Sequence, residues 1–290
     1  MKKTALLIGL LVSFGLTAGA EDKISYEVND DYGYVVGART KIGGNRTAHI
    51  DEQSNLFRIV VSPKTDIGLV RVGFEWQRFS FGLVPGTAIP NTLQSTSLVI
   101  GLDTQIGDTI LLRIEAQPGF YSDFYDISGS RDFNVPFVIG GSYLYSDELQ
   151  FVLGLSVDIN RSIPVFPGVG VRWKFAEKWV LDAILPKPRV EYKASDAVTL
   201  YAGADLRGGT YRVGEKFGTA AGNSRLDSAI VEYTEVRVSA GLSWKLAPST
   251  TFEFETGYMA YRGFNFDRAD TGFSTTQGAP YGQVALGMKF

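Results

Sequence analysis

Tyr281-Gly-Gln-Val-Ala-Leu-Gly-Met-Lys-Phe290 is the stretch that decides the fold. Strand side chains alternate between two faces. Gly282, Val284, Leu286, Met288 and Phe290 therefore share one face, and Tyr281, Gln283, Ala285, Gly287 and Lys289 share the other. One face suits hydrocarbon and the other suits water. The pattern recurs upstream, where Gly68, Val70, Val72, Phe74 and Trp76 oppose Leu69, Arg71, Gly73, Glu75 and Gln77. Phe151, Leu153, Leu155, Val157 and Ile159 oppose Gln150, Val152, Gly154, Ser156 and Asp158 in the same way. Val236, Val238, Ala240, Leu242 and Trp244 oppose Arg237, Ser239, Gly241 and Ser243, and Phe252, Phe254, Thr256 and Tyr258 oppose Glu253, Glu255 and Gly257. A tilted strand needs about 9 to 11 residues to cross a bilayer, and these runs supply that length. None carries the helical spacing i, i+3, i+4, i+7, so no helix is expected after residue 20.

Compact segments rich in turn formers bound the runs at residues 62–66, 105–108, 146–148, 176–178, 194–196 and 247–249. Longer connections near residues 42–54, 79–94, 120–133, 159–167, 184–188, 211–228 and 264–278 alternate with them. Short turns on one side and long loops on the other imply about fourteen strands, an even number with both chain ends on the same side. The expected fold is all-β, a transmembrane antiparallel up-and-down β-barrel formed by residues 21–290 as one domain. Twelve strands is the alternative count, because the two strands of residues 179–193 are short and joined by Leu185-Pro-Lys-Pro188, where Pro cannot donate to a ladder. Trp173, Phe175, Trp179 and Trp244 near turns, and Phe74, Trp76, Tyr258, Tyr261 and Phe264 near outer loops, read as interfacial girdles. A soluble sandwich is disfavoured because its strands are usually shorter.

Lys2 and Lys3 precede an apolar run from Ala5 to Leu16, and Ala18-Gly-Ala20 stands just before Glu21, the pattern of a cleaved secretory signal. The run falls short of the about 20 residues that a transmembrane helix needs. Residues 1–20 are accordingly expected to be removed on export, with the bacterial outer membrane as destination. Without Lys2 and Lys3, 26 basic residues stand against 31 acidic ones, a net charge of −5, which is the wrong sign for a nucleic-acid binder. The chain has no cysteine, which excludes disulfides, thiolate metal sites and a lipid anchor on cysteine.

Phe290, with Met288, Leu286 and Val284 at alternate positions before it, resembles the assembly signal that bacterial outer-membrane barrels present to their insertion machinery, although Met288 stands where Tyr is commoner. That resemblance implies the barrel assembly machinery as a partner, beside outer-membrane lipid. Gly168-Val-Gly-Val-Arg-Trp173, Glu177-Lys-Trp179 and Leu185-Pro-Lys-Pro-Arg-Val-Glu-Tyr192 together resemble an uncharacterised bacterial family of outer-membrane barrels, known as a domain of unknown function. The likeness spans essentially residues 21–290 and implies the fold but no activity.

Barrel enzymes typically pair a catalytic His with Ser or Asp. The one histidine, His49, has Asp51 on the same side of an extended segment but no orienting set, and reads as a solvated residue. HExxH and GxxxxGK are absent from the sequence, and Gly168-Val-Gly170 lacks the rest of a dinucleotide fingerprint. Asp123, Asp126 and Asp132, like Asp267 and Asp270, match no calcium-loop spacing. No catalytic residue, metal or cofactor is expected.

The informative set is the polar face: Arg58, Arg71, Glu75, Arg113, Glu115, Arg172, Lys174, Arg189, Glu191, Asp205, Arg207, Glu235, Arg237, Glu253 and Glu255. On the lipid face a midplane Lys or Arg costs about 2 to 4 kcal/mol, so alternation drives these residues inward as candidate lumen and selectivity groups. Separate acidic and basic strips around water would make a passive pore for small hydrophilic solutes. Pairing across the interior would instead close the barrel and leave a structural or surface-interaction scaffold. A barrel of about fourteen strands is wider than side chains alone fill, and only residues 21–31 precede the first strand. Loops 79–94, 120–133 and 211–228 are long enough to fold inward as a constriction. The pore is the functional expectation.

Overall fold

In a computed structural model, which describes residues 24–43, 46–82, 85–125 and 129–290, the alternating runs form fourteen antiparallel strands. They are β1 (Ile24–Gly43), β2 (Arg46–Thr65), β3 (Gly68–Phe81) and β4 (Thr92–Ile106). β5 consists of Ile110–Ala116 and Gly119–Ser122, and β6 of Phe133–Asn134 and Phe137–Leu144. β7 (Leu149–Val157), β8 (Val165–Ala176), β9 (Trp179–Asp182), β10 (Arg189–Lys193) and β11 (Val198–Arg212) follow. β12 (Ile230–Ala247), β13 (Thr250–Phe266) and β14, made of Thr271–Gln277 and Ala279–Lys289, complete the set. The strands at residues 179–193 are both present, so the count is fourteen rather than twelve. β14 pairs with β1 from Glu27 opposite Lys289 to Val35 opposite Tyr281, and Tyr26 and Phe290 exchange backbone hydrogen bonds of 3.0 and 2.9 Å at the seam. Closure is what permits a sheet to cross hydrocarbon.

The two faces separate as alternation requires. Val72, Leu98, Leu153, Val169, Val238 and Phe254 point outward and are each 45 to 72% exposed, whereas Arg71, Glu75, Glu235 and Arg237 on the opposite parity are at most 9% exposed. All six compact segments are strand-to-strand turns. On the other side, two of the expected long loops are corrected: much of residues 42–54 and 264–278 is strand. Polar residues occupy both faces of these outer extensions, which erases the alternation while the backbone ladder continues. The expectation of no helix is also corrected by α1 (Phe217–Ala220), one turn within the β11–β12 connection. The export segment lies outside the described residues.

Two features reshape the outer end. A bulge in β13 sets Val236 opposite Tyr261 but Arg237 opposite Met259. One extra residue moves every later side chain to the other face. Inward parity therefore passes from Glu253, Glu255 and Met259 to Arg262, Phe264 and Phe266. Phe264, expected in a girdle, is 1% exposed inside the barrel.

The second feature is a pinch. Ser122 of β5 pairs in parallel with Arg212 of β11, and the Asp123 amide donates to the Arg212 carbonyl at 3.0 Å. Arg212 Nε donates to the Arg131 carbonyl at 2.8 Å and the Gly214 amide to Asp123 Oδ2 at 2.9 Å. These contacts bypass the five strands β6 to β10, so fourteen strands on the inner side become nine around the outer end. The bypassed tips fold onto the outside of the narrowed wall, where Asn134 and Thr210 both reach Asp158, at 2.9 and 2.7 Å.

Candidate functional site

The interior is layered. At the outer end Ile50, Phe79, Phe81, Leu93, Tyr211, Val231, Tyr233, Phe264 and Phe266 point inward and are each at most 6% exposed. Ala88 and Ile89 from the β3–β4 connection and Leu226 from the β11–β12 connection fill the space between them. Phe79 and Phe81 of β3 lie 4.8 and 5.3 Å, centroid to centroid, from Tyr233 of β12. Those strands are not neighbours, so the contact crosses the axis. Burial of each such side chain stabilises by about 1.5 to 3 kcal/mol, and the layer forms an apolar seal.

Directly inside the seal lies a buried polar layer. Glu52 of β2 accepts from Tyr233 Oη at 2.8 Å, from Arg237 Nη2 at 3.2 Å and from Arg262 Nη1 at 3.0 Å. Glu235 lies 2.5 Å from the same Tyr233 hydroxyl, whose single proton serves one of the two carboxylates at a time, and also pairs with Arg237. Arg237 reaches Gln283 Oε1 at 3.0 Å, and Arg207 reaches the same oxygen at 2.6 Å while holding Asp205 at 2.6 Å. Gln283 in turn donates to Asp31. The side chains of Glu52, Glu235, Arg237 and Arg262 have no solvent exposure. Charges this deep persist only when paired and hydrogen-bonded.

Toward the turn side the network continues and becomes partly exposed. Arg58 bridges Glu75 at 2.7 Å and Glu115 at 2.6 Å, and Arg71 contacts Glu115, Glu27 and Asp103 at 3.2, 3.3 and 3.5 Å. Arg58 on β2 and Glu115 on β5 belong to non-adjacent strands, so this pair too spans the interior. Arg113, paired with Asp103 at 2.6 Å, is 53% exposed. Arg172 contacts Asp182 and Glu191, and Arg189 holds Glu191 at 2.8 Å. Lys174 is exposed, while Glu253 and Glu255 are half-buried beside a small pocket of about 50 Å³.

The wall is not uniform in height. β9 and β10 have four and five residues, and at about 3.4 Å per residue they rise only some 14 to 17 Å within an apolar band ~25 Å tall. Above them residues 183–188 turn back, with Pro186 and Pro188 offering carbonyls to the amides of Leu206 and Ala204 at 2.9 Å each. Beyond that turn, among the described residues, positions 165–170 of β8 pair only with β7 and positions 207–211 of β11 only with β12. Two strand edges thus face each other across a notch, and irregular backbone at membrane depth is tolerated where it lines a cavity. Val138, Gly140, Gly154, Phe166, Gly168 and Gly170 form the interior surface beside it, and Val138 and Phe166 are each 45% exposed.

Most of the sequence-derived set thus falls into three groups: Glu235, Arg237, Asp205 and Arg207 in the buried layer, Arg58, Arg71, Glu75, Arg113 and Glu115 in one ion-paired cluster, and Arg172, Arg189 and Glu191 in another, with Lys174, Glu253 and Glu255 outside them. Glu52, Arg262, Tyr233 and Asp31 escaped sequence reading. Glu52 lay in a presumed loop and Arg262 lies past the bulge. His49 is on β2, with Nδ1 3.2 Å from the Gly37 carbonyl oxygen, and Asp51 accepts from Tyr34 Oη at 3.4 Å.

A family model described as a domain of unknown function, DUF6268, matches residues 62–279. No curated relative matches at the level of sequence. Among solved structures, an outer membrane channel from Pseudomonas putida F1 is 10% identical with a TM-score of 0.50, the match covering 93% of this chain and 97% of that one. The toluene transporter TodX of P. putida is 9% identical with a TM-score of 0.48, covering 93% and 91%. The KdgM porin in complex with disordered oligogalacturonate is 11% identical with a TM-score of 0.36, covering 91% and 99%. The first of these likenesses establishes the fold, that of an outer-membrane β-barrel.

Proposed function

We propose that this chain, which belongs to the DUF6268 family of outer-membrane barrels, is a passive conduit for small hydrophilic solutes rather than an enzyme. The path is not the barrel axis. One observation carries the reading: the outer end of the axis is sealed by an apolar layer at most 7% exposed, while the ladder is interrupted above β9 and β10, next to a charge-lined, partly exposed vestibule. A solute entering from the turn side meets both signs of charge, held in place by their partners, and reaches the outside through the notch. The names of the structurally similar channels and porins agree with transport. The fully buried Glu52, Glu235, Arg237 and Arg262 favour a second reading, a sealed scaffold acting through its outer loops. Conductance of the refolded chain in a planar bilayer separates the two: reproducible openings support the conduit, and silence from protein verified as folded by heat-modifiable gel mobility supports the scaffold.

A further inference from the structure

We propose that the carboxyl groups of Glu52 and Glu235 share one proton, and that this proton holds the axial seal shut, so that the outer end of the barrel is a closure that alkaline pH loosens. The seal and the layer beneath it are the same whether or not solutes pass by the notch.

A phenol has a single proton to donate, yet Tyr233 Oη stands 2.8 Å from Glu52 Oε2 and 2.5 Å from Glu235 Oε2. The two carboxyl groups are also within hydrogen-bonding reach of each other. Arg237 occupies Oε1 of both, at 3.2 Å on Glu52, which leaves the two Oε2 atoms converging on the one hydroxyl. Ionised carboxylates only accept, so with both charged the hydroxyl serves one of them and the other is left against its neighbour. Neither side chain has any solvent exposure. Two carboxylates that share such a site do not both ionise.

The charges facing the pair agree. Asp31 of β1, Asp205 of β11, Glu52 and Glu235 set four carboxyl groups in this layer against three guanidinium groups, those of Arg207, Arg237 and Arg262. β3 contributes the rings of Phe79 and Phe81. β14 contributes Gln283 and the Tyr281 ring, whose centroid is 4.7 Å from the Arg237 guanidinium. Lys187 lies 3.5 Å from Asp205 on a side chain 56% exposed, where water screens it. One proton therefore makes the layer neutral. Arg207 stands between Asp31 and Asp205, at 3.6 and 2.6 Å, whereas Glu52 and Glu235 reach each other, so the proton belongs to that pair.

Tyr233 connects the proton to the seal. Its hydroxyl lies between the carboxyl groups, while its ring packs 4.8 Å from Phe79 and 5.3 Å from both Phe81 and Phe264. Glu52 reaches it across the interior, since β2 and β12 are not neighbours. When the proton passes to solvent, two anions are left in contact and repel. Glu52 and Glu235 then separate, the hydroxyl stays with one of them, and a tie across the axis is lost.

Infrared spectroscopy of the refolded chain detects the proton directly, through the C=O stretch of a protonated carboxyl group. The native chain is expected to show this band at neutral pH and to lose it as the pH rises, and both Glu52→Gln and Glu235→Gln should lack it. In a planar bilayer at alkaline pH the native chain should gain openings that it lacks at neutral pH. A bulky methanethiosulfonate reagent on a Phe79→Cys variant should block them, and Glu52→Gln, which has no proton to lose there, should not gain them. A missing band, a band kept by either glutamine variant, or an alkaline conductance that is absent or equal in native and Glu52→Gln protein would overturn the proposal. Silence at neutral pH alone would refute only the conduit.

Discussion

Removing the Glu52 side chain should unseat the centre of the barrel. Its carboxylate is unexposed and joins β2 to Tyr233, Arg237 and Arg262. Arg237 keeps Glu235 when Glu52 is lost. Arg262 does not fare as well: it keeps the Ile50 carbonyl at 2.6 Å, its Nε already lacks a partner, and the carboxylate opposite it, Glu235, is already held by Arg237 and Tyr233. Glu52→Ala therefore strands a buried cation, which costs about 3 to 5 kcal/mol. Glu52→Gln retains an acceptor and should lose less, about 1 to 3 kcal/mol. Urea unfolding in phospholipid vesicles, followed by the fluorescence of the four tryptophans, measures both. The double variant Glu52→Ala/Arg262→Met removes the stranded charge and should recover part of the loss, a coupling of about 1 to 3 kcal/mol. Arg113→Ala is the contrast, since that exposed pair is worth at most about 1 kcal/mol. A Glu52→Ala loss below about 1 kcal/mol, or strict additivity in the double variant, would refute the reasoning.

Three further outcomes are expected. Phe81→Ala, in the seal against Tyr233 and Phe264 at 5.3 and 4.9 Å, should cost about 3 to 5 kcal/mol in the same unfolding assay. Gly208→Ala should cost about 1 to 3 kcal/mol, because Gly208 has φ +141° and a Cβ there would lie 2.0 Å from the Tyr233 carbonyl oxygen. Phe290→Ala, on the terminal strand proposed to address the assembly machinery, should lower the heat-modifiable barrel fraction in cells while leaving refolding of purified protein unchanged, since its seam bonds to Tyr26 are backbone bonds.

The membrane-spanning part of this fold was legible because hydrocarbon enforces alternation: Arg71 and Glu75 cannot share a face with Val72 and Phe74, so each strand declares its orientation. That constraint ends above the bilayer. Residues 46–54 of β2 pair with β1 without an apolar face turned to lipid, which made Glu52 look like a loop residue. The β13 bulge breaks the parity count, so alternation alone hides Arg262 and puts Phe264 in the interfacial girdle. A pinch between β5 and β11 leaves no mark in local sequence, because it depends on which strands are short. The one hint was Leu185-Pro-Lys-Pro188, which marked the place where the wall falls short but not that the opposite edges remain unpaired. Alternation places the charged residues inward, whereas their division into a sealed layer and a partly exposed vestibule depends on partners far apart in the chain.

The central claim is that solutes pass by the notch and not along the axis. Because the chain has no cysteine, a single thiol can be placed at will. The most direct measurement is conductance of the refolded Lys187→Cys variant in a planar bilayer, before and after a bulky charged methanethiosulfonate reagent, beside a Phe79→Cys variant treated identically. The account predicts openings in both, closed by modification at position 187 and indifferent to the reagent at position 79. Openings that survive modification at position 187, or a folded chain that never conducts, would contradict it.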